Sequence, residues 1–163
     1  MASMKVADFL DPGLIVAALS GADKKQVLEE LCRELAARDP DLDPDRMVGI
    51  LLDRERLGST GVGEGVAIPH GKLENLDRLV ACFGRSLSGV EFEAVDKMPV
   101  HLFFLLFAPE NSAGVHLRAL AKISRLLKRP SVREALLSAQ GREEIFAVLT
   151  GEDDEPTPGA SGS

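Results

Sequence analysis

The chain of 163 residues contains no tryptophan and no tyrosine, and its seven phenylalanines hold the aromatic share at 4%. That argues against a protein that stacks bases on aromatic platforms. Positive charge is in short supply as well, with 19 Lys and Arg against 26 Asp and Glu and a formal charge of −7. An acidic chain repels the phosphate backbone, so nucleic acid is not the expected partner. Cysteine is scarce: Cys32 and Cys82 stand far apart with no CxxC pair, so neither a zinc knuckle nor a disulfide framework is written here. Both read as small buried hydrophobes. The most apolar run, Val100–Ala108, is interrupted by His101 and is too short to span a bilayer as a helix. The opening MASMKVADFL lacks a basic segment followed by a long apolar one, so no secretory signal is expected. The expectation is a soluble, cytoplasmic protein with no direct membrane insertion.

What is present is enough apolar residue, 45%, to bury one sizeable core. One folded unit is expected from residue 4 to 150. The closing GEDDEPTPGASGS has no apolar periodicity, and its acid, Pro, Gly and Ser content predicts a disordered tail over 151–163.

Within the unit, Asp23 and Gln26 have the spacing of a capping box, and Val27, Leu28, Leu31 and Leu35 follow at helical period. Pro40 ends that helix at Asp39. Asp43 as N-cap and Pro44 as first helical residue open a second helix, with Met47, Ile50 and Leu51 turned inward, that closes near Leu57–Gly58. Leu79–Ser86 and Val100–Phe107 read as strands buried on both faces. Val66–Ile68 is a shorter apolar stretch, and Leu14–Leu19 is a candidate first strand. From Ser112 a helical stripe of Leu117, Leu120, Ile123, Ser124 and Leu127 is expected. A helix from Pro130 to Ala139 follows, then one near Glu143–Leu149 after Gly141. Helices before and after a group of strands predict an α/β fold, a mixed sheet sandwiched between helices.

The segment with chemical content is Leu57–Lys72, LGSTGVGEGVAIPHGK. Glycines at 58, 61, 63, 65 and 71 imply backbone conformations or close approaches that other residues do not tolerate, and such a loop can bring amides to an anion. It is not a nucleotide loop. Gly71-Lys72 is followed by Leu73, not Ser or Thr, and no GxGxxG is present. The loop runs into Val66-Ala67-Ile68-Pro69-His70-Gly71. A short strand would carry His70 out at its end, with Gly71 leaving room beside it. Imidazole, with an ordinary pKa near ~6.5, is largely free base at neutral pH and attacks phosphorus directly. Taken alone, His70 reads first as a structural or surface histidine, and the glycine setting moves that reading only part of the way.

The stretch Arg54–Lys72, RERLGSTGVGEGVAIPHGK, resembles the phosphohistidine region of type-2 IIA proteins of the bacterial phosphoenolpyruvate-dependent phosphotransferase system (PTS), the fructose, mannitol and nitrogen-regulatory IIA domains. The resemblance continues through Phe92–Asp96, Pro99–Pro109 and His116–Leu120. It implies the mixed-sheet sandwich of mannitol-type IIA domains and a phosphoryl acceptor at His70, charged from an HPr-type carrier. It also implies a second site histidine at His116, a charge-stabilising Arg54 and an orienting carboxylate at Glu64. No cofactor is implied, and no HExxH-like spacing marks a metal site. His101 reads as structural and Lys72 as a solvated lysine. A regulatory, nitrogen-type role is favoured, because permease, IIB and HPr segments are missing from the sequence. The alternatives are a transport component passing phosphate to a separate fructose- or mannitol-type IIB, and a binding module whose partner choice ignores phosphorylation.

Overall fold

The computed structural model describes residues 4–151 and 153. Two single-turn 3₁₀ helices, Val6–Asp8 and Pro12–Leu14, lead into strand β1 (Ile15–Val16) and then helices α1 (Lys24–Arg38) and α2 (Pro44–Arg56). Strands β2 (Gly61–Gly63), β3 (Val66–Ala67), β4 (His70–Leu73), β5 (Val80–Val90) and β6 (Val100–Pro109) follow. Helices α3 (Ala113–Lys128), α4 (Pro130–Ser138) and α5 (Arg142–Thr150) close the fold.

The helix starts are set by their caps. Asp23 Oδ1 accepts from the Gln26 amide at 2.8 Å, as the spacing requires. The returning half of the box differs from expectation: the Gln26 carboxamide accepts from Ala22 N, one residue before the cap. Asp43 caps α2 through the amides of Asp45 and Arg46, with Pro44 in the first turn where its missing N–H costs nothing. Met47 and Leu51 are buried, together with Val48.

The sheet has the order β1-β5-β6-β3-β2, with β4 also on β6. β5 and β6 are antiparallel, β1 runs parallel to β5, and both β3 and β4 run parallel to β6. Strand alternation separates the two faces. On β5, a Cβ at Gly84 would meet Leu31 of α1, whereas the next residue, Arg85, hydrogen-bonds the Leu136 carbonyl of α4. One face is therefore covered by α1 and α2 and the other by α3, α4 and α5. Between them lie Phe83, Phe103, Phe104 and Phe107 and the two cysteines, both free and fully buried. Burial pushes the Cys32 thiol up to about 12, and that of Cys82 upward too, so neither is a nucleophile.

Three expectations are corrected. The first strand shrinks to two residues. β5 extends to Val90 past a register shift after Arg85. On α3, Leu117 is 70% exposed, and the buried stripe is His116, Ala119, Ile123, Leu126 and Leu127. Two apolar stripes overlap in that sequence about 100° apart, and the one that begins with the polar His116 faces the sheet.

The predicted tail at 151–163 lies mostly outside the described residues. Of it, Asp153 is fixed: its carboxylate accepts from the amides of Val6 and Ala7 and lies 3.9 Å from Lys122 Nζ. Among the described residues no helix is long and apolar enough to cross a membrane.

Candidate functional site

β3 and β4 are two pieces of one path along the same edge of β6, pairing Val66 with Leu102 and His70 with Leu106. Pro69 has no N–H, so the ladder lapses there, yet its carbonyl still accepts from Leu106 N at 2.9 Å. His70 consequently opens the second strand instead of ending the first, which corrects the expectation from sequence. Its neighbour Gly71 turns toward α2, where a Cβ would stand 2.8 Å from Ile50 Cγ2 and 3.2 Å from Phe107 Cε1. Alternation then sends the His70 side chain to the opposite face, where α3 begins. It meets His116 edge to face, with ring centroids 5.5 Å apart and planes at 86°.

His70 Nδ1 lies 2.7 Å from the Ile68 carbonyl oxygen. A carbonyl only accepts, so Nδ1 carries the proton and the neutral ring keeps its lone pair on Nε2. Burial pushes the His70 pKa down; the Ile68 carbonyl pulls it back, the Arg54 charge lowers it and the Glu55 charge raises it. His116 is 7% exposed. Its pKa is also depressed, by burial first and then by His70 and Lys72. His116 Nδ1 is buried and makes no hydrogen bond among the described residues. At neutral pH the site therefore holds two uncharged imidazoles, one with a nucleophilic nitrogen and one with an unsatisfied polar atom.

Arg54, in the last turn of α2, donates from Nη1 to the Gly58 carbonyl at 2.9 Å, and its charge reaches His70. Glu64 goes elsewhere. It sits at φ 59° between Gly63 and Gly65, donates its amide to Asp96, and points a 78% exposed carboxylate to within 3.9 Å of Arg133. The structure thus packs His70 against His116, sets the Arg54 charge where it acts on His70, and leaves the Glu64 carboxylate exposed. His101 bonds the Ser86 carbonyl through Nδ1 at 2.9 Å, in keeping with a structural role.

The glycine loop is not an open anion cradle. Thr60 N is taken by Glu55, Gly61 N by Ser59 Oγ and Glu64 N by Asp96. Sequence reasoning passed over Glu55 and Thr60. The available signal was Glu55 lying five residues before a hydroxyl in a glycine-dense turn. Among the described residues, no group of three or more His, Cys, Asp or Glu gathers to hold a metal ion.

A family model described as "Phosphoenolpyruvate-dependent sugar phosphotransferase system, EIIA 2" matches residues 8–151. A nitrogen regulatory protein of Bradyrhizobium diazoefficiens is 41% identical over 146 residues, 90% of this chain and 95% of that protein. The crystal structure of the nitrogen regulatory protein IIA-Ntr from Neisseria meningitidis superposes with a TM-score of 0.84 at 37% identity, covering 89% of this chain and 99% of that one. The crystal structure of mannitol IIA from Escherichia coli superposes at 0.69 with 24% identity, covering 86% and 98%, which shows the shared fold.

Proposed function

The chain belongs to the EIIA type-2 family of the phosphoenolpyruvate-dependent sugar phosphotransferase system, and from that premise we propose that His70 is the residue on which it carries phosphate. As a IIA protein it is a phosphoryl carrier in a phosphotransferase relay. The observation that carries the residue assignment is the hydrogen bond from His70 Nδ1 to the Ile68 carbonyl, which leaves Nε2 as the free nucleophile.

The donor in this reading is a phosphohistidine of an HPr-type carrier. His70 Nε2 attacks phosphorus while the donor's N–P bond breaks, and that electron pair stays on the donor ring. The His70 ring becomes an imidazolium, and the Ile68 carbonyl stabilises the N–H that now shares its charge. One N–P bond replaces another, so the protein's task is positioning and charge stabilisation. The incoming group brings roughly two negative charges. Arg54 answers them with a fixed cation, and His116 with its Nδ1, which makes no hydrogen bond among the described residues and donates when it carries the ring proton. Glu64 keeps the orienting role in this reading through charge alone, its exposed carboxylate lying 3.9 Å from Arg133. Residues 4–150 are the carrier domain.

A regulatory role is favoured over sugar transport. The Bradyrhizobium and Neisseria relatives, both nitrogen regulatory proteins, are matched over nearly their whole lengths. The phosphorylation state of His70 then selects a regulatory target through local charge.

The test is the intact mass of parent and His70→Ala after incubation with phosphoenolpyruvate, enzyme I and an HPr-type carrier. The expected result is one acid-labile phosphoryl group on the parent and none on the variant. Phosphate on both would move the acceptor elsewhere. Rapid onward transfer to an added sugar-specific IIB domain would overturn the regulatory reading in favour of transport.

A further inference from the structure

A short buried chain of polar groups runs from the start of α1 to the acceptor ring. Glu55, near the end of α2, has a side chain only 4% exposed and 3.1 Å from Lys24 Nζ. Its carboxylate accepts from the Thr60 amide at 3.1 Å and from the Thr60 hydroxyl. The Thr60 carbonyl in turn accepts from Ile68 N at 3.0 Å, and the Ile68 carbonyl accepts from His70 Nδ1 at 2.7 Å. The amide and carbonyl of Ile68 flank one Cα, and Pro69 follows with a fixed φ. Holding the amide therefore limits how far the carbonyl can swing off the ring.

We propose that Glu55, seated on Lys24, is a positioning residue for His70: through Thr60 and Ile68 it fixes the Nδ1–H tautomer and so keeps Nε2 as the attacking atom. The inference rests on His70 being the acceptor.

A buried ion pair costs desolvation that a hydrophobic pair of the same size does not, so a stability role alone explains it poorly. Lys24 is held on both sides, by Glu93 at 3.7 Å and by the Phe92 ring at 4.6 Å from its centroid. The Arg54 charge also acts on the His70 ring and His116 packs against it, so the carboxylate is one influence among several electrostatically. Geometry, relayed bond by bond, is its larger effect. Gln at position 55 keeps the size but removes the charge on which Lys24 sits and leaves a single oxygen to accept from both Lys24 and the Thr60 amide, so the relay is weakened at its first link.

The experiment uses the full chain with ¹⁵N-labelled histidine rings, read by long-range ¹H–¹⁵N correlation near neutral pH, alongside the phosphorylation rate. In the parent, His70 should be a single Nδ1–H tautomer. Glu55→Gln should populate both tautomers and slow phosphorylation by about tenfold or more, while the His101 signals stay where they are and report an intact fold. Thr60→Val, which removes only the hydroxyl, should shift the tautomers in the same direction, and Thr60→Ser should restore them. If Glu55→Gln does not fold, the Thr60 pair decides. A folded variant whose His70 stays wholly Nδ1–H, at a rate within about twofold of the parent, would overturn the proposal. A parent that shows the tautomer but never takes phosphate at His70 would instead sink the acceptor assignment, and the tautomer arm would still decide the role of Glu55.

Discussion

Two imidazoles with ring centroids 5.5 Å apart, His116 buried and His70 partly so, resist protonation, and a charge on His70 makes it harder still for His116. The consequence for stability has a definite sign. Both folded-state pKa values lie below the ordinary value of 6.5, so the unfolded chain binds more protons than the folded one as pH falls through that value. Stability is therefore complete above the unfolded pKa and declines as acid is added, until the folded-state values are passed. The melting temperature should fall between about pH 7.5 and pH 5, and a His70→Asn, His116→Asn double variant should flatten that part of the curve. An unchanged slope in the double variant would show that carboxylates, not this pair, set the acid limb. Phosphate transfer answers to the same residues differently. His116→Asn and Arg54→Ala should each slow it by about a hundredfold, the scale of losing one group aimed at developing charge. Arg54→Ala removes only a surface cation and one bond to the Gly58 carbonyl, so its melting point should stay close to the parent's. If either variant instead loses the fold and recovers full activity on refolding at low temperature, the side chain belongs to the core and not to the site.

At the scale of the element, the site is a strand interrupted over two residues, Ile68 and Pro69. Pro69 breaks the ladder, the path resumes at once, and the side-chain alternation that follows puts Gly71 against α2 and His70 against α3. Gly71→Ala tests that arrangement, because its Cβ would stand 2.8 Å from Ile50 Cγ2 and 3.2 Å from Phe107 Cε1. Overpacking of this kind costs roughly 1–3 kcal/mol. Here the strain falls on the residue next to the proposed acceptor, so phosphorylation should slow even at temperatures where the variant is fully folded. A variant destabilised by that amount yet phosphorylated at the parent rate would mean that β4 relaxes away from α2 without moving His70. The elements that were readable in sequence are those with a local signal: Asp23, Asp43 and Pro44 announce helix starts, and continuous apolar runs announce β5 and β6. β2 and β4 were not readable. They are short, glycine-containing and flanked by polar residues, and they exist as strands only because β3 and β6 offer them hydrogen bonds. The same holds within the site. The motif points to His70, His116 and Arg54 as candidates, but Glu55 leaves only the faint trace of a carboxylate five residues before the Thr60 hydroxyl, which does not by itself distinguish a carboxylate buried on Lys24 from a solvated one.

Across the whole molecule, one side chain ties together parts that are far apart in sequence. Arg85, on β5 and 6% exposed, donates from Nε to the Ala17 carbonyl at 2.9 Å and from Nη1 to the carbonyls of Leu136 and Ala139, both at 2.8 Å. The latter two belong to the end of α4 and its C-terminal cap, where backbone carbonyls lack intrahelical partners and carry the negative end of the helix dipole. A guanidinium answers this with a fork of donors and a positive charge at once. In the linear sequence Arg85 reads only as a basic residue inside an apolar strand, because its acceptors are carbonyls of β1's neighbourhood and of a helix some fifty residues later. Arg85→Met keeps the bulk but leaves those carbonyls buried without donors. The expected cost is about 3 kcal/mol in urea or guanidinium unfolding. Arg85→Lys should recover only a minor part of it, since one ammonium cannot reach both groups of acceptors. The clamp lies at the β1–α4 side of the sheet, and none of the bonds that hold His70 passes through it. The folded fraction of Arg85→Met should accordingly be phosphorylated at the parent rate, measured well below its melting point. A stable Arg85→Met would deny the clamp. A rate that falls while the protein remains folded would mean that packing of α4 is transmitted along the sheet to the α3 end, and that stability and phosphoryl transfer are not separable in this fold.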